Sequence, residues 1–255
     1  MIADFSEFTY GFALTRELLN LSSRIVPVAP VFPSLIQEGR QGGGYDVGID
    51  FPGYPLFIQF KLSEHMKSKN SKEWHVYNAP YYRFGIRPPS KSNQHALLLH
   101  LEQSQKNVFY AAPAFSKTKE INKAFIKNQI ASKSVFVLPS SIGNITDNKE
   151  HNVVFQPQSN FGYFCSDPKK IEVNNSSTFI DKLFSNFDEK THIEQKSDFI
   201  ELGKELLIIA SEVMGNQWGE FAKNYLYEIP NRPEQVVSYF SRIFFNCDFY
   251  MVKEG

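Results

Sequence analysis

Residues 44–61 read GYDVGIDFPGYPLFIQFK. Tyr45, Val47, Ile49 and Phe51 alternate with Asp46, Gly48 and Asp50, the period-two pattern of a half-buried strand. Pro52-Gly53 is a turn signal, and residues 56–62 (LFIQFKL) form a second apolar run. The stretch therefore predicts a hairpin. Positions two apart on a strand share a face, so Gln59 and Lys61 point the same way. Hairpin pairing is expected to bring Asp46 beside them.

Outward from this stretch, residues 7–21 (EFTYGFALTRELLNL) predict an amphipathic helix with Phe8, Phe12, Leu18 and Leu19 inward and Ser6 as N-cap. Residues 24–32 hold Pro27 and Pro30, which remove ladder donors, so they read as an edge strand or an extended segment. Gly42 to Gly44 read as a flexible turn. Residues 63–91 read as a polar loop. A helix is expected at 92–103, a strand at 108–115, a helix at 119–130, and strands at 135–139 and 152–157. Beyond Asp167 the pattern turns helical, at 174–187, 198–214 and 233–245. A seam at about 166–176 divides an α/β part, 1–165, from a helical part, 166–255, either a separate unit or packed on the first.

Composition narrows the function classes. Twenty-seven Lys+Arg against 27 Asp+Glu give a net charge of zero, so any nucleic-acid affinity must come from a local patch. Hydrophobic residues at 42% supply a core, which excludes a disordered tail. Cys165 and Cys247 form no CxxC pair and are read as two free thiols, with one long-range disulfide as the alternative, and the scattered histidines give no zinc spacing. Met1 to Tyr10 carry Asp4 and Glu7 where a secretory leader needs a basic and apolar run. No apolar stretch approaches the ~20 residues of a membrane span. The expectation is a cytoplasmic protein with no membrane partner. Ser140, Ser141 and Cys165 lie in no nucleophile elbow.

The chemistry-bearing set is Asp46, Gln59 and Lys61. A carboxylate, a carboxamide oxygen and the main-chain carbonyl of Phe60 are hard oxygen donors of the kind Mg²⁺ takes. Such an ion polarises a phosphate and activates water. A lysine beside it holds that water or the developing charge.

This arrangement resembles the PD-(D/E)xK, or restriction-endonuclease-like, nuclease superfamily over roughly residues 7–115. Asp46 matches the family aspartate, and Gln59-Phe60-Lys61 matches the Asp/Glu-x-Lys half-motif. Tyr45 stands where proline is common, and Gln59 replaces the usual carboxylate, which lowers metal affinity. Glu38 is the favoured residue to restore charge. Glu17 on the first helix and Asp50 are alternatives. The resemblance implies an α/β fold with an αβββαβ core and mixed sheet, followed here by the helical C-terminal part. It implies Mg²⁺- or Mn²⁺-dependent hydrolysis of DNA phosphodiester bonds in bacterial defence, restriction or genome maintenance. The zero net charge calls for a protein partner, a homo-oligomer or a localised patch to supply affinity. Tyr82, Arg83, Lys67 and Lys69 are the candidate nucleic-acid contacts. Gln94-His95 reads as a cap-side surface pair. The Gln59 substitution also motivates a second expectation, a non-catalytic interaction subunit of the same fold.

Overall fold

The structure, a computed structural model, describes residues 2–27, 52–104, 106–165, 168–185, 191–215 and 233–253. In chain order the elements are α1 (Glu7–Leu21), β1 (Ile25–Pro27), β2 (Tyr54–Phe60), β3 (Glu64–Met66), α2 (Trp74–Tyr77), β4 (Tyr81–Ile86), α3 (Gln94–Gln103) and β5 (Asn107–Pro113). Then come α4 (Thr118–Ile126), β6 (Ser134–Val137), α5 (Pro139–Ile142), β7 (His151–Phe155), β8 (Phe161–Phe164) and β9 (Lys169–Glu172). The C-terminal part holds α6 (Ser176–Ser185), α7 (Lys196–Met214), α8 (Pro233–Ile243) and β10 (Asp248–Val252).

The fold is α/β with two sheets. The first is mixed, in the order β1-β10-β2-β5-β6; β2 and β5 run parallel and the other pairs antiparallel. The second, β3-β4-β7-β8-β9, is wholly antiparallel. Every residue of β2 is buried, as a central strand covered on both faces requires. Leu56, Ile58 and Phe60 face a core layer with α1 and α6. Phe57 faces another, shared by α3, α7, α8 and the inner side of the second sheet.

The α1 helix occupies the expected residues, and the Ser6 side chain accepts from the Thr9 N–H at 3.1 Å. Its inward face differs from the expectation. Tyr10, Leu14, Glu17 and Leu18 are buried, while Phe8 and Phe12 are exposed. The reason is Gly11, where an added Cβ would lie 2.7 Å from the Phe60 ring. The helix turns its glycine to the sheet because only there can its backbone come so close.

The expected hairpin meets a second correction. β10 pairs with residues 54–58 along one edge of β2, and β5 pairs with residues 56–60 along the other. The edge that the preceding strand was expected to use over 54–58 is held by the C-terminal strand. Residues 45–51, together with Glu38, Asp46, Asp50 and the glycines at 42–44, lie outside the described residues. Gly53 bridges Ile193, and a Cβ there would meet the Val252 carbonyl oxygen at 2.5 Å. Its glycine serves close approach to β10.

Residues 63–91 are not simply loop: they contain β3, α2 and β4. The burial pattern of β4 alternates over 82–86 but not at Tyr81, which is buried beside Tyr82. β8, β9 and β10 are likewise additions to the sequence reading. β1 holds Pro27 at the sheet edge as expected.

Candidate functional site

Gln59 and Lys61 emerge on one face at the carboxyl end of β2. Gln59 lies opposite Tyr110 of β5 and is 1% exposed. Neither atom of its carboxamide has a hydrogen-bond partner among the described residues. Burying such a group unpaired costs about 1–3 kcal/mol, and a buried polar group without a protein partner calls for another one, such as an ion or a water. Phe60, between them, turns its ring to the opposite face, edge-on to Tyr10 at 5.8 Å.

Lys61 Nζ donates to Gln94 Oε1 at 3.2 Å and stands 5.6 Å from the Tyr110 ring centroid. Burial disfavours its charged form and pushes the ammonium down to about 8, while Glu7 pulls the other way. Lys61 therefore remains a cation at neutral pH and sits close to its titration. The Gln94 carboxamide is held in turn, donating from Nε2 to the Phe245 carbonyl at 3.4 Å. Lys61 opens into a cleft of about 530 Å³ whose lining includes Glu7, Arg87, Gln94, Phe244 and Asn246.

Behind Gln94 the helix carries His95, buried at 5% exposure. Its Nε2 lies 2.7 Å from the Gly143 carbonyl oxygen and its Nδ1 2.9 Å from the Tyr110 hydroxyl. A carbonyl only accepts, so Nε2 carries the proton and Nδ1 accepts from Tyr110. Burial, with the Lys61 cation nearby, holds His95 below the usual histidine range, which keeps the imidazole neutral. Burial raises the Tyr110 hydroxyl well above its ordinary value, so it stays a donor. The sequence reading of Gln94-His95 as a surface pair is thus corrected. Gln94 holds Lys61, and His95 ties α3 to β5.

Among the other candidates, Glu17 is buried and accepts from the Ile130 N–H at 2.6 Å, in the core layer on the far face of the sheet. The first helix offers Glu7 to Lys61 instead. Arg83 is bound by two carboxylates, Glu64 at 2.9 Å and Glu73 at 3.1 Å. Tyr82 is buried, stacked on His65 at 4.3 Å. Lys67 and Lys69 are exposed. The sequence reading passed over Glu7, Arg87 and Asn246, which come from three distant segments. Only Gln94 carried a local signal, a polar residue opening the helix that follows β2 and precedes its parallel neighbour.

Among the described residues no three His, Cys, Asp or Glu side chains gather to hold a metal ion, and both cysteines are free. No helix among them is long and apolar enough to cross a membrane. No protein-family model, curated protein or solved structure matches the chain.

Proposed function

We propose that the chain is a metal-dependent nuclease with a restriction-endonuclease-like core, hydrolysing phosphodiester bonds of DNA in the bacterial cytoplasm. One observation carries the reading: Gln59 and Lys61 stand side by side at the carboxyl end of a buried central strand, with Lys61 opening into a cleft. Element order supports it. α1 packs on β2, and α3 precedes its parallel neighbour β5, although β3, α2 and β4 of the second sheet intervene after β2.

The orphaned Gln59 carboxamide and the Phe60 carbonyl fit a magnesium or manganese ion as two neutral oxygen donors. The charge that a hard cation requires would come from Asp46 and Glu38, which the family resemblance supplies and which lie outside the described residues. Once bound, such an ion supplies neutralisation of the phosphate and a more acidic water. The chain's own contribution centres on Lys61. Protonated at neutral pH, it attracts the anionic phosphate and stabilises charge that develops on its oxygens. Gln94 fixes the ammonium, and the His95–Tyr110 bond fixes Gln94's helix against β5.

The test is incubation of the purified chain with supercoiled and linear DNA in Mg²⁺, Mn²⁺ or EDTA. Cleavage with metal, absent in EDTA and in Lys61→Ala, is the expected result. An active preparation whose rate is unchanged by Lys61→Ala would overturn the assignment. The sealed Gln59 carboxamide favours a second reading, a non-catalytic subunit of a nucleic-acid-processing or defence complex, bound to a protein partner or a second copy. Absence of cleavage under all conditions, together with a stable stoichiometric complex, would support that reading.

A further inference from the structure

We propose that the outward face of the second sheet is a binding platform for single-stranded DNA. The choice of DNA rests on the nuclease reading; the platform itself rests on the register of the sheet.

Arg83 pairs with Val154, Val154 with Tyr163, and Tyr163 with Lys170, so these four share one row and one face; Val154 is fully buried, and the open part of the row is Tyr163 and Lys170. Phe161 stands two residues before Tyr163 on the same side. Both rings are half-buried, whereas their neighbours Gly162 and Phe164 turn inward. Tyr77 of α2 stands against Tyr163, ring centroids 5.5 Å apart at 77°. Phe161 and Tyr163 meet edge-on at 6.0 Å. Lys170 Nζ lies 4.3 Å from the Phe161 centroid. The exposed Lys72 stands two residues before α2.

These are the parts that a single strand needs. Every base offers a π-face, so half-exposed aromatic rings bind bases whatever the sequence, and lysines beside them meet the phosphates. A duplex keeps its bases stacked on one another and leaves such rings unused. Charge on this face is segregated: Glu64 and Glu73 gather at the β3–β4 side around Arg83, which leaves the cations Lys72 and Lys170 to meet a polyanion. The carboxylates on this face are engaged, Glu64 and Glu73 with Arg83 and Glu172 with Lys182 at 2.7 Å. Lys72 and Lys170 form no ion pair among the described residues. The sequence expectation placed nucleic-acid contacts on Tyr82 and Arg83 in this same sheet. Tyr82 faces the core and Arg83 is outweighed by two carboxylates, so the contact shifts two strands over, to Phe161 and Tyr163, which the sequence did not single out.

The experiment is fluorescence anisotropy of labelled oligothymidylate with the full chain, at low salt and in EDTA. Saturable binding is expected, at least about tenfold tighter than for a duplex of the same length. Tyr163→Ala should weaken it about tenfold, the loss of one stacked base, while Tyr163→Phe should retain it. Lys170→Ala should flatten the slope of log affinity against log salt by about 0.7, one phosphate contact on a single strand. No binding by the wild-type chain, equal binding of duplex, or wild-type affinity and salt slope in both alanine variants would overturn the platform. Should Tyr163→Ala fail to fold, the exposed Lys170→Ala decides alone. Tighter binding of an RNA homopolymer would overturn the choice of DNA. Binding in EDTA and cleavage in Mg²⁺ or Mn²⁺ separate the two readings, since a chain that binds in EDTA but never cleaves with metal keeps the platform and loses the nuclease.

Discussion

Lys61 and Gln59 place opposite electrostatic demands on one strand end. An unfolded lysine titrates near 10.4, whereas the folded ammonium is pushed down to about 8. Between those values the unfolded chain holds more protons, so stability rises with pH across that window, by at most about 3 kcal/mol. Below pH 8 both states are protonated and the full penalty for the half-buried cation applies. Lys61→Met removes it, so the thermal midpoint at pH 7 should rise by about 2–4 °C for each kcal/mol relieved. That advantage should shrink as the pH is raised from 8 towards 10, and calorimetry at a series of pH values reads both effects. In an active preparation, the wild-type cleavage rate should fall as pH rises through about 8, because the stabilising cation is lost. A rate still rising at pH 9 would assign Lys61 another role.

Gln59 yields a paired prediction at the same scale. Gln59→Glu should strengthen Mn²⁺ binding in titration calorimetry, since it adds charge to a hard-cation donor. Gln59→Met should raise the thermal midpoint, because it removes two buried polar atoms that lack partners. Unchanged or weaker Mn²⁺ binding in the first variant would mean that Gln59 is not a ligand. A lower midpoint in the second would mean that the carboxamide is satisfied in solution.

At the scale of elements, contact between α1 and β2 is set by a single missing side chain. Gly11→Val would drive a branched side chain into the Phe60 ring, which itself packs edge-on to Tyr10. Overpacking of this kind costs about 1–3 kcal/mol, to be read as a lower urea midpoint with an unchanged slope. Glu17 gives the complementary case. Glu17→Ala strips the acceptor from the buried Ile130 N–H, and an unsatisfied buried donor costs about 1–3 kcal/mol. Mn²⁺ affinity should not move, because Glu17 lies in the layer beneath the sheet, away from Gln59 and Lys61. A loss of Mn²⁺ binding would return Glu17 to the site.

At the scale of the whole molecule, the last strand is structurally internal. β10 lies between β1 and β2, and Phe249, Tyr250, Met251 and Val252 are each at most 3% exposed. The α8 helix delivers it, and the Arg242–Asp248 ion pair at 2.7 Å spans the turn. A chain ending at Phe245 would leave one edge of β2 open over residues 54–58 and expose both core layers. It should lose the cooperative thermal transition seen by circular dichroism in the intact chain. A truncated chain that melts cooperatively near the wild-type midpoint would show that the C-terminal part is a dispensable appendage.

Periodicity and punctuation in the sequence located most helices and several strands. The run at 7–21 becomes α1 with its Ser6 cap, the run at 198–214 falls within α7, and LFIQFKL contains most of β2, with Gln59 and Lys61 on one face. Those signals are local, because a residue's side-chain direction depends only on the element that carries it. What lies beside an element is not local. DFYMV at 248–252 is too short to announce a strand against the helical pattern before it. Its place at the edge of β2 comes from long-range pairing that buries four large side chains at once. The same holds for Arg83, whose charge looks available until Glu64 and Glu73 converge on it from two other segments. Lys61 is legible as a buried lysine in an apolar run. Tertiary packing alone decided that Gln94 would hold it and Glu7 and Arg87 would flank it, since those groups meet only when the helices close over the end of the sheet.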